Sequence, residues 1–216
     1  FEYKGENVTE VPYEFTCENE PTMVELTKSD LTTGEELPGA HLKVTDKDGN
    51  IVDEWISEKN PHVIKELTVG KKYTLTETKP ADGFVTAESI DFTVENTAEI
   101  QKHEMKDDIT KVQISKTDIT GDKEIPGAKL TILDDQVVES WTSTDKPHYV
   151  EKLPVGNYTL REEQAPKGFV LTSDVTFEVK DTGEVQTVTM KNDTAKGKII
   201  INKTDADTEK PLKGVE

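Results

Sequence analysis

Three kinds of side chain stand where an alternating strand would place its apolar face, and together they could make a covalent bond. In a β-strand successive side chains point to opposite faces. In YTLREEQAPKGF, Tyr158 to Phe169, the residues Tyr158, Leu160 and Glu162 therefore share one face, while Thr159, Arg161 and Glu163 share the other. A near copy, YTLTETKPADGF, places Glu77 behind Tyr73 and Leu75 in the same way. Elsewhere Val24, Leu26 and Lys28 are in phase, as are Val112, Ile114 and Lys116, and again Ile199, Ile201 and Lys203. Val188, Met190 and Asn192 form another such series, matched by Met105 with Asp107 and by Phe15, Cys17 and Asn19. The period of two thus ends one core-facing series in lysine, one in glutamate, and one in asparagine or aspartate.

Such groups are costly to bury alone, so they are expected to meet. A lysine desolvated among apolar side chains gives up its proton more readily, and the neutral amine is a nucleophile. A carboxyl group in the same pocket is favoured as the neutral acid, which can donate to a side-chain carbonyl and shuttle the proton that the amine loses. Attack of Lys116 on Asn192 would release ammonia and leave an amide. Attack of Lys28 on Asp107 would require the neutral acid and would release water. Contact between the groups supplies most of the driving effect, because effective molarities for intramolecular attack are very large. A structural lysine–glutamate cluster without covalent chemistry satisfies the same spacing, and the residues alone leave both readings open.

The elements that must position these groups come in duplicate. DLTTGEELPGAHLKV from Asp30 returns as DITGDKEIPGAKLTI from Asp118, and EWISEKNPHVIKELTVGKKYTL returns as SWTSTDKPHYVEKLPVGNYTL. Repeats of this size are whole domains. FEYKGENVTEVPYEFTCEN at the start matches the stretches from Phe92 and Phe177, and KIIINKTDADTEKPLKG near the end matches KVQISKTDITGDKEIPG. The expected organisation is therefore a fragment of an upstream repeat (1–21), two complete domains (22–108 and 109–194), and the start of a downstream repeat (195–216). The opening FEYKGEN is neither a signal peptide nor a natural start, so the chain reads as a segment of something longer.

Local signals are almost all β. In the first repeat strands are expected over Met23–Lys28, His41–Asp46, Ile51–Ile56, Val63–Leu67, Lys72–Glu77, Ser89–Glu95 and Glu99–Lys106, with equivalents in the second. DKDGN at Asp46 and PADG at Pro80 supply turns, and no stretch sustains a 3.6-residue apolar period. About seven short strands per repeat argue for a β-sandwich.

Composition limits the alternatives. Of 216 residues, 32 % are hydrophobic and 6 % aromatic, enough for small cores rather than one large one. The net charge of -18, from 44 acidic against 26 basic residues, makes nucleic acid an unsuitable partner. The single cysteine, Cys17, excludes an intramolecular disulfide framework. No apolar run is long enough for membrane insertion.

YTLREEQAPKGF, preceded by ISKTD and followed by VTMKND, resembles the glutamate box, crosslinking lysine and crosslinking asparagine of the CnaB-type (SpaA-like, prealbumin-like) domains of Gram-positive surface adhesins and pilins. The resemblance covers essentially the whole chain. It implies all-β, tandem, reverse Ig-like sandwiches with self-formed isopeptide bonds. It assigns Glu162 as the promoting acid for a bond from Lys116 to Asn192, and Glu77 for one from Lys28 to Asp107. Two departures stand out: Asp107 takes the place of the commoner asparagine, and KPADG replaces QAPKG. Asn19 and Lys203 fall in incomplete repeats and are expected to be unreacted.

The resulting expectation is a non-enzymatic stalk segment of a cell-wall-anchored adhesin or pilus protein, outside the cell. Its partners would be neighbouring repeats, and no cofactor is called for. The alternative is a module whose sandwich face or loop end binds a host extracellular-matrix or cell-surface protein. DKDGN is read as a hairpin turn rather than a calcium loop, because glycine comes fourth and no helices flank it. His62 and His148 are read as strand-entry residues, Trp55 and Trp141 as core or half-buried anchors, and Cys17 as a small core residue.

Overall fold

A computed structural model describes residues 19–197, 203–208 and 210. They form two compact units, one of residues up to Ala81 with Thr86–Asp108, the other of Asp82–Val85 with Ile109 onward. Fourteen strands and no helix occur among the described residues. The expected all-β tandem of seven-stranded sandwiches is therefore the fold found. Cys17, Ile199 and Ile201 lie outside the described residues, as do most of both flanking fragments.

In the first unit, β1 (Met23–Asp30) is the centre of a three-stranded sheet ordered β4-β1-β7, with β4 at His62–Lys65 and β7 at Ile100–Asp107. The second sheet is ordered β3-β2-β5-β6, from β2 (His41–Asp46), β3 (Ile51–Ile56), β5 (Lys72–Lys79) and β6 (Ile90–Thr93). The second unit repeats both sheets, as β11-β8-β14 and β10-β9-β12-β13. Its strands are β8 (Lys111–Asp118), β9 (Lys129–Leu133), β10 (Val137–Thr142), β11 (His148–Glu151), β12 (Gly156–Gln164), β13 (Val175–Val179) and β14 (Val185–Asn192).

The pairing of first and last strands sets the architecture. β1 lies parallel to β7, with Lys28 opposite Met105 and Asp30 opposite Asp107. Likewise β8 lies parallel to β14, with Lys116 opposite Met190 and Asp118 opposite Asn192. Parallel neighbours cannot be joined by a hairpin, and here the rest of each unit serves as the connection. The lysine and its Asp or Asn partner are consequently two rungs out of register. That diagonal is within reach of a long side chain.

Alternation fills each core as the sequence requires. Val24, Leu26, Leu42, Val44, Tyr73, Leu75, Phe92 and Met105 are among the buried residues of the first cluster, and Val112, Ile114, Leu130, Ile132, Tyr158, Leu160 and Met190 of the second. β4 stops at Lys65 rather than at the expected Leu67, because Glu66 adopts φ 65°; Lys152, at the same place in the second unit, adopts φ 59°. This left-handed conformation breaks a strand. β6 is also shorter than expected, at Ile90–Thr93 rather than Ser89–Glu95. The DKDGN turn is a hairpin: Asp46 Oδ1 accepts from the Asp48 and Asn50 amides at 2.9 Å each, and Gly49 takes φ 83°. Trp55 stacks on His62 with centroids 4.1 Å apart, and Trp141 on His148 at 4.3 Å. Each histidine Nε2 meets a carboxylate on the tryptophan's own strand, Asp53 at 2.8 Å or Glu139 at 2.7 Å.

One half-buried position beside the core departs from the pattern. His103 stands where the second unit has Val188, opposite Leu26 as Val188 is opposite Ile114. Its ring stacks on Phe92 at 4.7 Å, but Nε2 is buried without a hydrogen-bond partner. Burial lowers its pKa, so folding favours the neutral ring, and that part of the stability is lost as pH falls below the ordinary histidine range. His103→Val should stabilise the first unit by about 1 kcal/mol near pH 8 through removal of the orphaned nitrogen, and by more at pH 5. Urea denaturation followed by Trp55 fluorescence in a Trp141→Phe background measures both.

Candidate crosslinking sites

Each unit buries one lysine, one glutamate and one Asx side chain against one another. Lys28 and Lys116 are each 2 % exposed, Glu77 4 %, Glu162 3 %, Asp107 0 % and Asn192 1 %, so water screens none of these contacts. The lysines arrive from the first strands, the Asx residues from the last strands of the same sheet, and the glutamates from β5 and β12 of the facing sheet. Asn19 and Lys203, by contrast, are exposed.

A bulge places each glutamate. β12 pairs with β9 so that Leu130 faces Glu162 and Lys129 faces Gln164, which leaves Glu163 as the extra residue. In the first unit Leu42 faces Glu77 and His41 faces Lys79, with Thr78 extra. The glutamate is thus the last residue of the core-facing series before the strand bends. Bulges are frequent beside functional groups because they re-aim a side chain. Sequence alternation selects Glu162 over Glu163 but does not reveal the bulge.

In the second unit Lys116 Nζ donates to Asn192 Oδ1 and lies 3.1 Å from Glu162 Oε1. The Asn192 amide nitrogen donates to Glu162 Oε1 and Oε2 at 2.9 and 3.0 Å and to the Val170 carbonyl at 2.8 Å. With the amine on one side and three acceptor oxygens on the other, only this amide orientation satisfies the pocket. Glu162 Oε2 also accepts from the Thr172 backbone N–H at 2.8 Å. Burial lowers the Lys116 pKa, opposed by its contact with Glu162. The amine thereby moves towards the neutral, nucleophilic form.

The first unit has the same layout with one proton to settle. Lys28 Nζ donates to Asp107 Oδ1 and lies 3.0 Å from Glu77 Oε1, and Glu77 Oε2 accepts from the Ala87 N–H at 2.7 Å. Glu77 Oε1 is close to the amine but badly aligned for a hydrogen bond, and Asp107 Oδ2 is buried with no donor. A proton held between the two carboxyl groups gives both oxygens a partner. Asp107 is suited to carry it. Burial, reinforced by the charge of Glu77 and a hydrogen bond with it, raises the Asp107 pKa to about 7 against the opposing pull of Lys28.

Sequence reasoning identified all six side chains that the structure brings together. It missed the backbone groups that hold them: the Val170 carbonyl and the Thr172 and Ala87 amides. Main-chain atoms carry no residue signature, so nothing in the sequence marked them.

The pH consequence differs between the units. If amide formation consumes neutral Asp107, its rate should fall as pH rises through about 7, whereas Asn192 has no ionisation to lose. The contribution of Asp107 to the stability of the unreacted first unit should also decline from about pH 4 to 7, because over that range its folded carboxyl group binds more protons than the unfolded one. Chain recovered unfolded and unlinked, then refolded at pH 6 to 9, should show water loss slowing relative to ammonia loss when sampled by intact mass.

Residues 22–109 and 110–194 each match the family model of SpaA, a prealbumin-like fold domain. Among solved structures, the TIE protein of Bacillus anthracis is 30 % identical with a TM-score of 0.52, over 82 % of this chain and 35 % of that one. A streptococcal ancillary pilin is 23 % identical with a TM-score of 0.41, over 83 % of this chain and 64 % of that one. BcpA, the major pilin subunit of Bacillus cereus, is 11 % identical with a TM-score of 0.38, over 82 % of this chain and all of that one. This chain therefore spans about a third of the TIE protein. A search of curated proteins found no match.

Proposed function

The chain belongs to the SpaA family of prealbumin-like domains, and from that premise we propose that it is a structural stalk segment of a Gram-positive cell-wall-anchored adhesin or pilus protein. Each unit closes on itself by an intramolecular isopeptide bond, Lys28 to Asp107 and Lys116 to Asn192, promoted by Glu77 and Glu162. The observation that carries this reading is the dry contact of amine, carboxyl and Asx side chain in both units, at 3.0 and 3.1 Å between lysine and glutamate. Its neighbours would be further repeats of the same protein, and its place the outer face of the cell wall. The only chemistry is one turnover per domain on the chain itself, with no external substrate.

The steps balance without a cofactor. In the second unit Lys116 Nζ attacks Asn192 Cγ; the new C–N bond forms, the Cγ–Nδ2 bond breaks, and Glu162 transfers one proton from the attacking to the departing nitrogen, which leaves as ammonia. In the first unit the hydroxyl of neutral Asp107 departs as water. Both reactions remove buried charges or their precursors and leave a neutral amide.

The mechanical effect follows from the parallel pairing. Tension entering along β1 can cross at Lys28 and leave past Asp107, so the chain between them carries no load. The bonds close separations of 79 and 76 positions. By the loop-entropy estimate made for disulfides, each stabilises its unit by about 4 to 5 kcal/mol.

Intact mass should show the loss of one water and one ammonia in the parent chain. Glu77→Ala should retain the water and Glu162→Ala the ammonia; a parent of unlinked mass would sink the mechanism. Single-molecule pulling provides a separate check. The parent should release no hidden length, whereas the double variant should give two steps of roughly 270 Å, from about 3.4 Å per freed residue. In calorimetry the variant unit should melt roughly 20 °C or more below its linked counterpart.

A further inference from the structure

The second pocket holds its reacting amide by a backbone device that none of the six crosslink side chains supplies. Val170 O accepts from Asn192 Nδ2 at 2.8 Å, and Thr172 N–H donates to Glu162 Oε2 at 2.8 Å. A carbonyl at one residue and an N–H two residues later are the pair that an extended segment offers to a neighbouring strand. Here the neighbour is not a strand. The donor and acceptor facing the segment are the Asn192 amide and the Glu162 carboxyl group, themselves joined at 2.9 and 3.0 Å.

We infer that Val170–Thr172 is the specificity element of the second site: it reads the N–H group of an asparagine and fixes that nitrogen as the leaving group. This rests on the crosslink reading and adds a positioning role to it. The amide cannot rotate without turning Oδ1 towards three acceptor oxygens and Nδ2 towards the amine. Nδ2 therefore stays on the side of Glu162, which protonates it, and Oδ1 stays towards Lys116. As Nδ2 gains a proton and departs it becomes a stronger donor, so its bond to Val170 O tightens while the C–N bond breaks.

The first unit shows what happens without that donor. Ala87 N–H still holds Glu77 Oε2 at 2.7 Å, but Asp107 presents a second oxygen that is buried and has no donor. An aspartate needs an added proton where the asparagine needs none. The second site, with its carbonyl aimed at 192, selects the amide.

The test replaces Leu171 by its α-hydroxy acid analogue, which turns the Val170 carbonyl into an ester carbonyl, a weaker acceptor, and leaves every side chain in place. The chain is recovered unfolded and unlinked, refolded, and sampled by intact mass. Ammonia loss should slow about fivefold, the effect of losing most of one hydrogen bond. Water loss in the first unit of the same molecules should keep its parental rate, and Trp141 fluorescence should report unchanged folding. Asn192→Asp gives a second readout: crosslinking should become water loss, slower than the parent at pH 8 and recovering towards pH 6. Ammonia loss at the parental rate in the ester, or an Asn192→Asp chain that links as fast as the parent at pH 8, overturns the inference. A parent that never loses ammonia overturns the crosslink reading and this one with it.

Discussion

A lysine amine shut away from water is the constraint on which the rest of each unit depends. Burying an ammonium group beside a carboxylate returns little stability, because desolvation offsets most of the attraction, while removing one partner leaves an expensive orphan. Lys28 and Lys116, each 2 % exposed, are therefore poor choices for holding a core together by charge alone. They make sense as reagents. Desolvation moves Lys116 towards the neutral amine, and the proposed amide then abolishes the charges that made the pocket costly.

The sandwich can be understood as what is needed to keep those groups in contact. The first and last strands lie side by side and parallel, which leaves the unit's two chain ends at opposite ends of the sheet and sets lysine and Asx on a diagonal where both strands finish. The facing sheet contributes a glutamate at the last core-facing position before a bulge. Two copies of this plan have diverged where chemistry permits. Asp107 replaces asparagine at the cost of a proton, and His103 replaces valine at the cost of an unpartnered nitrogen. Both changes fall in the first unit and tie it to pH, in opposite directions: raising pH removes the proton that Asp107 needs, and lowering it charges His103.

The paired tryptophan and histidine rings show a different kind of preservation. The acid beneath each histidine changes from Asp53 to Glu139, yet the stack and its Nε2–carboxylate hydrogen bond persist. Each pair joins β3 to β4, or β10 to β11, strands at the edges of different sheets with no backbone hydrogen bonds between them. Side chains alone close this margin of the sandwich, so a strand-entry histidine is more than a turn residue.

Much was legible from alternation. Because side chains in a strand face opposite ways with a period of two, the series ending in Lys28, Glu77 and Asp107, and in Lys116, Glu162 and Asn192, announced which groups face the core. Duplication of the chain announced that they would do so twice. The sheet order, the bulges at Thr78 and Glu163, the left-handed Glu66 and Lys152, and the aim of the Val170 carbonyl were decided only by tertiary structure. The reason is physical. Side-chain direction is a local property written in residue type and spacing, whereas strand partners and the orientation of main-chain N–H and C=O groups depend on which segments the folded core brings together, and every residue carries those groups alike.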